Sequence, residues 1–112
     1  MTGRIDLSSS HTIWTQINTT SFDSLKRELV VKAIEYANIR ANWYLLTHQQ
    51  RQDQDARRTL AHNAFIDACN ILSRNMGRVG EDNSCRETLG NDRKDIGDFA
   101  CWLHALLGVA MR

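Results

Sequence analysis

From Thr20 to His48 the chain reads TSFDSLKRELVVKAIEYANIRANWYLLTH. Phe22, Leu25, Leu29, Ala33, Ala37, Ala41, Tyr44, Leu45 and His48 recur at spacings of three and four, the period that puts side chains on one face of an α-helix. Val30, Ile34 and Ile39 widen the stripe toward a second neighbour, while Lys26, Arg27, Glu28, Lys32, Glu35 and Arg40 supply polar surface. Thr20 followed by Asp23 at the third position is a capping pattern. The spacing therefore predicts one helix of about 25–28 residues, roughly 40 Å long at 1.5 Å per residue.

Downstream, Gln49 to Asp55 breaks the stripe by polarity, without Gly or Pro. It reads as a loop or an exposed helical turn joining two antiparallel helices. A second stripe follows at Ala56, Leu60, Ala64, Phe65, Ala68, Ile71, Leu72 and Met76, with Asp53 or Asp55 as its cap and Gly77 as its end. Arg78 to Asn83 is a turn cluster. Ser84-Cys85-Arg86-Glu87 offers a capping box, and Gly90 limits that helix to a turn or two. Asn91 or Asp92 caps a last helix whose stripe is Ile96, Phe99, Ala100, Leu103, Leu106, Leu107 and Ala110, closed by a Schellman ending at Gly108-Val109. Gly97 costs that helix about 1 kcal/mol relative to Ala, so another backbone is expected to pass close to it.

Upstream, residues 1–19 are rich in Ser and Thr and read as a flexible or loosely docked arm in which Ile13, Trp14 and Ile17 form a short anchoring turn. The predicted fold is all-α: one bundle over residues 20–112, built of three principal helices and a short connector.

The 112 residues contain no Pro, and five of the six Gly fall in the last 36. This length accommodates one domain with one modest core, which excludes a multidomain enzyme. A net charge of +1 provides no bulk attraction to nucleic acid. The charge is nevertheless uneven: residues 51–80 carry five Arg against three Asp, whereas residues 81–112 carry six carboxylates against four bases. No apolar run approaches the roughly 20 residues of a spanning helix. The start of the chain lacks the charged-then-apolar build of a secretory signal. Cys69, Cys85 and Cys101 form no Cys-x-x-Cys pair, so reduced thiols and a cytoplasmic location are expected.

Several constellations could carry chemistry. Cysteines with His11, His48, His62 and His104 are zinc-ligand types, but their spacing has no zinc regularity, and core cysteines are the expectation. Asp92, Asp95 and Asp98 crowd a helix start, where the macrodipole favours negative charge. The glycines match no phosphate-binding loop. Neither metal nor cofactor is therefore assigned. A helix-turn-helix is disfavoured because the stretch from Gly77 to Asn83 is too long for its turn. Arg57-Arg58-Thr59-Leu60-Ala61-His62 places four residues between Arg57 and His62. This resembles the R-x4-6-H signature of HEPN-type helical ribonucleases, and the resemblance implies that Arg57 and His62 of two protomers act jointly on an RNA phosphate.

Leu60 to Ala68 and Gly90 to Trp102, above all the Gly-Asp-Phe-Ala-Cys segment, make residues 25–112 similar to a small family of uncharacterised bacterial proteins of about this length. The resemblance implies a compact helical domain carried on mobile or phage-related DNA, and it transfers no site residue. The leading expectation is a protein-binding module, an inhibitor or modulator of a larger machine, with an inhibitor of a CRISPR-type defence system as its concrete form. Its anchors would be Trp14, Trp43 and Trp102 with Arg51, Arg58, Arg74 and Arg78, since Trp and Arg dominate binding hot spots. A ribonuclease using Arg57 and His62, a nucleic-acid binder using the Arg51 to Arg78 surface, and a homodimer are the alternatives.

Overall fold

The computed structural model describes residues 7–107. Five helices follow in order: α1 (Leu7–Asn18), α2 (Asp23–Asn42), α3 (His48–Arg78), α4 (Ser84–Leu89) and α5 (Arg93–Leu107), with a single 3-10 turn at Trp43–Leu45. No strand occurs among the described residues. The all-α bundle is as expected, with four substantial helices instead of three.

The difference begins where the first stripe was read as continuing. α2 stops at Asn42, tightens into the Trp43–Leu45 turn, and becomes extended at Leu46. Thr47 then starts α3 with a reciprocal capping box: its hydroxyl accepts from Gln50 N at 3.1 Å, and Gln50 Oε1 accepts from Thr47 N at 2.8 Å. Gln49 to Asp55 is therefore the exposed opening of a helix, not a loop. Asp53 and Asp55 are not caps. They receive side-chain bonds from Gln49 (3.0 Å) and Arg58 (2.8 Å), four and three residues away on the helix surface. At 31 residues α3 is about 46 Å long, close to the 47 Å longest extent of the molecule.

The second correction concerns residues 1–19. The part described is not a flexible arm but the 12-residue helix α1, whose Ile13 and Ile17 are buried in the main core. The expected anchoring turn is thus one face of a docked helix. Gln16 fixes it to α4: its Oε1 accepts from Cys85 N, and its Nε2 donates to Ser84 Oγ at 3.1 Å. The Ser84 capping box does not form. Asn83 precedes α4 without capping it, its side chain donating instead to Ser73 O at 3.1 Å, and Gln16 satisfies an N-terminal amide from another helix. Gln16→Ala is expected to lower stability by about 1–2 kcal/mol, and urea unfolding followed by circular dichroism checks it. A loosely attached arm would give no change.

Thr20 is likewise not a cap. It is buried, and its hydroxyl donates to Glu81 Oε1 at 3.2 Å, 61 residues away. At the other end of α3, Gly77 stays helical and Gly80 makes the left-handed turn at φ +77°. Asp92 caps α5 as expected, accepting from Lys94 N at 2.8 Å and Asp95 N at 3.2 Å. Arg86 fastens the α4–α5 join by donating to Asn70 Oδ1 (2.7 Å), Gly90 O (2.7 Å) and Asn91 Oδ1 (3.0 Å). The Gly108-Val109 ending and Ala110 lie outside the described residues.

α2 packs along both α3 and α5, which explains its widened stripe, while α1 rests on α4 and α5. A series of ring contacts runs through the core. Tyr36 of α2 meets Phe65 of α3 (6.5 Å), Phe65 meets Phe99 of α5 (6.2 Å), and Phe99 stacks on Trp102 (6.4 Å, 15°). His62 and His11 extend it edge-on at its two ends. Gly97 does make room for a neighbour, but the neighbour is a side chain and not a backbone. A Cβ there would lie 2.5 Å from Arg40 Cζ and 2.9 Å from its Cδ.

Candidate binding site

The α2–α3 connection brings together three of the residues singled out from the sequence. Trp43 sits half-buried in the 3-10 turn, and the Arg58 guanidinium lies over its ring with Cζ 4.2 Å from the centroid, a cation–π arrangement. Arg51 Nε donates to Trp43 O at 3.1 Å, holding the turn against α3. Both arginines thus brace Trp43.

Next to Trp43, Tyr44 (83% exposed) and Leu45 (79%) project from the turn, and Leu60 (69%) projects from α3. The helical period places all three at core positions. They belong to stripes that continue past the point where the helices have a neighbour. The signal that would have found Tyr44 and Leu45 is the capping pattern Thr47-x-x-Gln50, which ends the first helix early and turns the preceding residues into a tip.

Behind this tip runs an open groove of about 620 Å³ between α2 and α3. One wall is Glu35, Asn38, Ile39 and Asn42, spaced as one face of α2; the other is Gln54, Arg57, Leu60, Ala61 and Ala64, one face of α3, with Trp43 and Leu46 closing the tip end. Two such parallel ridges accept a third helix in the way helices pack in cores, ridge into groove. Ile39, Leu46, Leu60, Ala61 and Ala64 supply its apolar lining, and Glu35 and Arg57 give its two walls opposite charges.

The other expected anchors lie elsewhere. Trp14 and Trp102 are half-buried and packed against the core, Trp102 stacked on Phe99. Arg74 and Arg78 are exposed near the far end of α3, 16 and 20 residues beyond Arg58, or roughly 24 and 30 Å along the axis. Arg57 and His62 do not converge within one chain. Five residues apart on a helix, they point about 140° from each other. Arg57 lines the groove and bonds Gln54 at 3.5 Å, whereas His62 sets its ring edge-on to Tyr36 with Nε2 buried and unpartnered.

Among the described residues no three His, Cys, Asp or Glu side chains cluster as metal ligands. Cys69 and Cys85 line a small apolar space with Ile13, Ile17 and Leu72. Burial pushes the Cys69 thiol up to about 12, outweighing the opposing Arg86 charge, and burial also raises Cys85 and Cys101. A thiol whose folded value lies above its unfolded one keeps its proton longer when folded. Its stabilising effect is complete below about pH 9 and is lost as pH rises toward 12, at about 1 kcal/mol per pH unit. Urea midpoints measured from pH 8 to 11 are expected to fall less steeply in Cys69→Ala than in the unaltered chain. Asp82 is held below the usual carboxylate range by the Ser84 backbone N–H it accepts at 3.0 Å, next to α4.

No protein-family model, curated protein or solved structure matches the chain. Among the described residues no helix is long and apolar enough to cross a membrane.

Proposed function

We propose that this chain is a protein-binding module that receives an amphipathic helix of its partner in the α2–α3 groove, with the Tyr44–Leu45 tip gripping one end. The observation that carries this reading is the exposure of Leu60 in a groove bounded by two helical ridges, with exposed Leu45 in the turn that adjoins it. Large apolar side chains gathered around a concavity are the usual mark of a recognition site, whereas scattered ones are ordinary surface. The braced Trp43 adds a rigid aromatic anchor of the kind that dominates binding energy. By occupying a helix of a larger machine the module would inhibit or modulate it, and a phage or mobile-element defence system is the concrete form of that role.

A photo-crosslinking amino acid placed at position 60, and separately at position 74, tests the reading in cells. Adducts to one protein from position 60 and none from position 74 are expected. Adducts from position 74 alone would move the interface to the far end of α3. Ribonuclease activity abolished by Arg57→Ala and by His62→Ala would replace the binding module with the HEPN-type enzyme.

A further inference from the structure

On the other side of Trp43 lies a second cleft, of about 370 Å³, where α2, α3 and the start of α5 meet. Four cations converge on it: Arg40 from α2, Arg58 from α3, and Arg93 and Lys94 from α5. No carboxylate lines it. Arg40 has Asp98 as its partner through one oxygen at 3.5 Å, and Arg58 has Asp55 at 2.8 Å. Arg93 and Lys94 pair with no carboxylate among the described residues, and the Asp92 carboxylate next to them is engaged in capping α5. The cleft therefore holds two positive charges beyond its internal pairs. Arg58 Nε is buried and has no hydrogen-bond acceptor. Such a donor is costly to bury unless something supplies the acceptor.

Three aromatic rings complete the lining. Tyr36 is buried, Trp43 lies under the Arg58 guanidinium, and Tyr44 is the most exposed large apolar side chain described. We propose that this cleft binds a nucleotide, its phosphate held by Arg93, Lys94 and Arg58 and its base stacked on Tyr44. Two cations without an ion-pair partner suit a phosphate monoester, which carries about −1.5 to −2 at neutral pH, better than the single charge of a carboxylate side chain. An exposed aromatic beside a cationic groove is the arrangement that takes a base without reading its sequence. The volume lies at the lower end of the range for small-molecule sites, about 300–1,000 Å³. The nucleotide can be free or the phosphorylated end of a single strand. The chemistry is shared; Arg93 and Lys94 lie outside the α2–α3 groove, whereas Trp43 lines both sites.

Calorimetric titration of the full chain with UMP, uridine, inorganic phosphate and a 5′-phosphorylated pentauridylate tests this. UMP is expected to bind and uridine not to. The double variant Arg93→Ala/Lys94→Ala, altered only at exposed positions, is expected to weaken UMP binding at least about tenfold, with an unchanged helical circular-dichroism spectrum. Tyr44→Ala is expected to weaken UMP while leaving inorganic phosphate unaffected. Tighter binding of the pentamer than of UMP, with a steeper fall as salt rises, assigns the strand end; equal binding assigns the free nucleotide. The proposal is overturned by absence of UMP binding at millimolar concentration, by UMP binding that survives the double variant, or by a tetraglutamate peptide binding in place of UMP.

Discussion

Phe99→Ala is expected to destabilise the chain by about 3–5 kcal/mol, the usual result of truncating a fully buried aromatic. Domains of this size are stable by only about 5–15 kcal/mol in total, so the variant would lose a fifth or more of its stability. Phe99 is fully buried, touches Phe65 of α3 and stacks on Trp102, so its loss removes the ring that joins α3 to α5. α5 in turn supports α2 and α1. Urea unfolding monitored at 222 nm measures the effect. Leu106→Ala, on the exposed side of the same helix, should stay within about 0.5 kcal/mol and serves as the comparison. A Phe99→Ala cost below about 1 kcal/mol would mean that the aromatic series does not organise the core.

Most of this core was legible in the helical period. Leu29, Ala33, Phe65, Leu72, Phe99 and Leu103 stand at stripe positions and are buried. What the period cannot show is where a helix loses its neighbour. Tyr44 and Leu45 continue the stripe with unbroken spacing, yet they stand in water because the α2–α3 turn falls before Thr47 and leaves them at the tip, while Leu60 stands on an open face of α3 beside the groove. Polarity misled in the opposite direction at Gln49 to Asp55. A helix that opens into solvent needs no apolar face there, and surface pairs such as Gln49 with Asp53 are enough to keep it helical. The Ser/Thr-rich beginning hid α1 for a related reason. Among its described apolar side chains Ile13 and Ile17 are buried in the core with Trp14 packed against it, and the bond from the Cys85 amide to Gln16 is a long-range contact that no local pattern announces.

The candidate site was legible in part. Its residue types, Trp with Arg, pointed to Trp43, Arg51 and Arg58, which the fold does gather. The same types included Trp14 and Trp102, packed against the core, and Arg74 and Arg78, near the far end of α3. Composition identifies side chains suited to binding, but only the tertiary arrangement tells which of them share a surface. Arg40 shows this most clearly. On the polar face of a long helix in the sequence, it lies over Gly97, which has no Cβ, reaches Asp98 and becomes one wall of the cationic cleft.

Leu60→Asp is the second large effect expected. Leu60 is exposed, so its replacement leaves the isolated chain within about 0.5 kcal/mol of its original stability. In a complex the same carboxylate would be trapped without a partner against an apolar helix, at a cost of several kcal/mol, which weakens binding by more than about 100-fold. Arg74→Ala, at the far end of α3, should have no such effect. Affinity capture from the protein's own cells with the unaltered chain, Leu60→Asp and Arg74→Ala, quantified by mass spectrometry, therefore tests the binding-module reading most directly. The expected result is one protein enriched equally by the unaltered chain and Arg74→Ala and lost with Leu60→Asp; equal enrichment by all three, or no enriched protein, would contradict it.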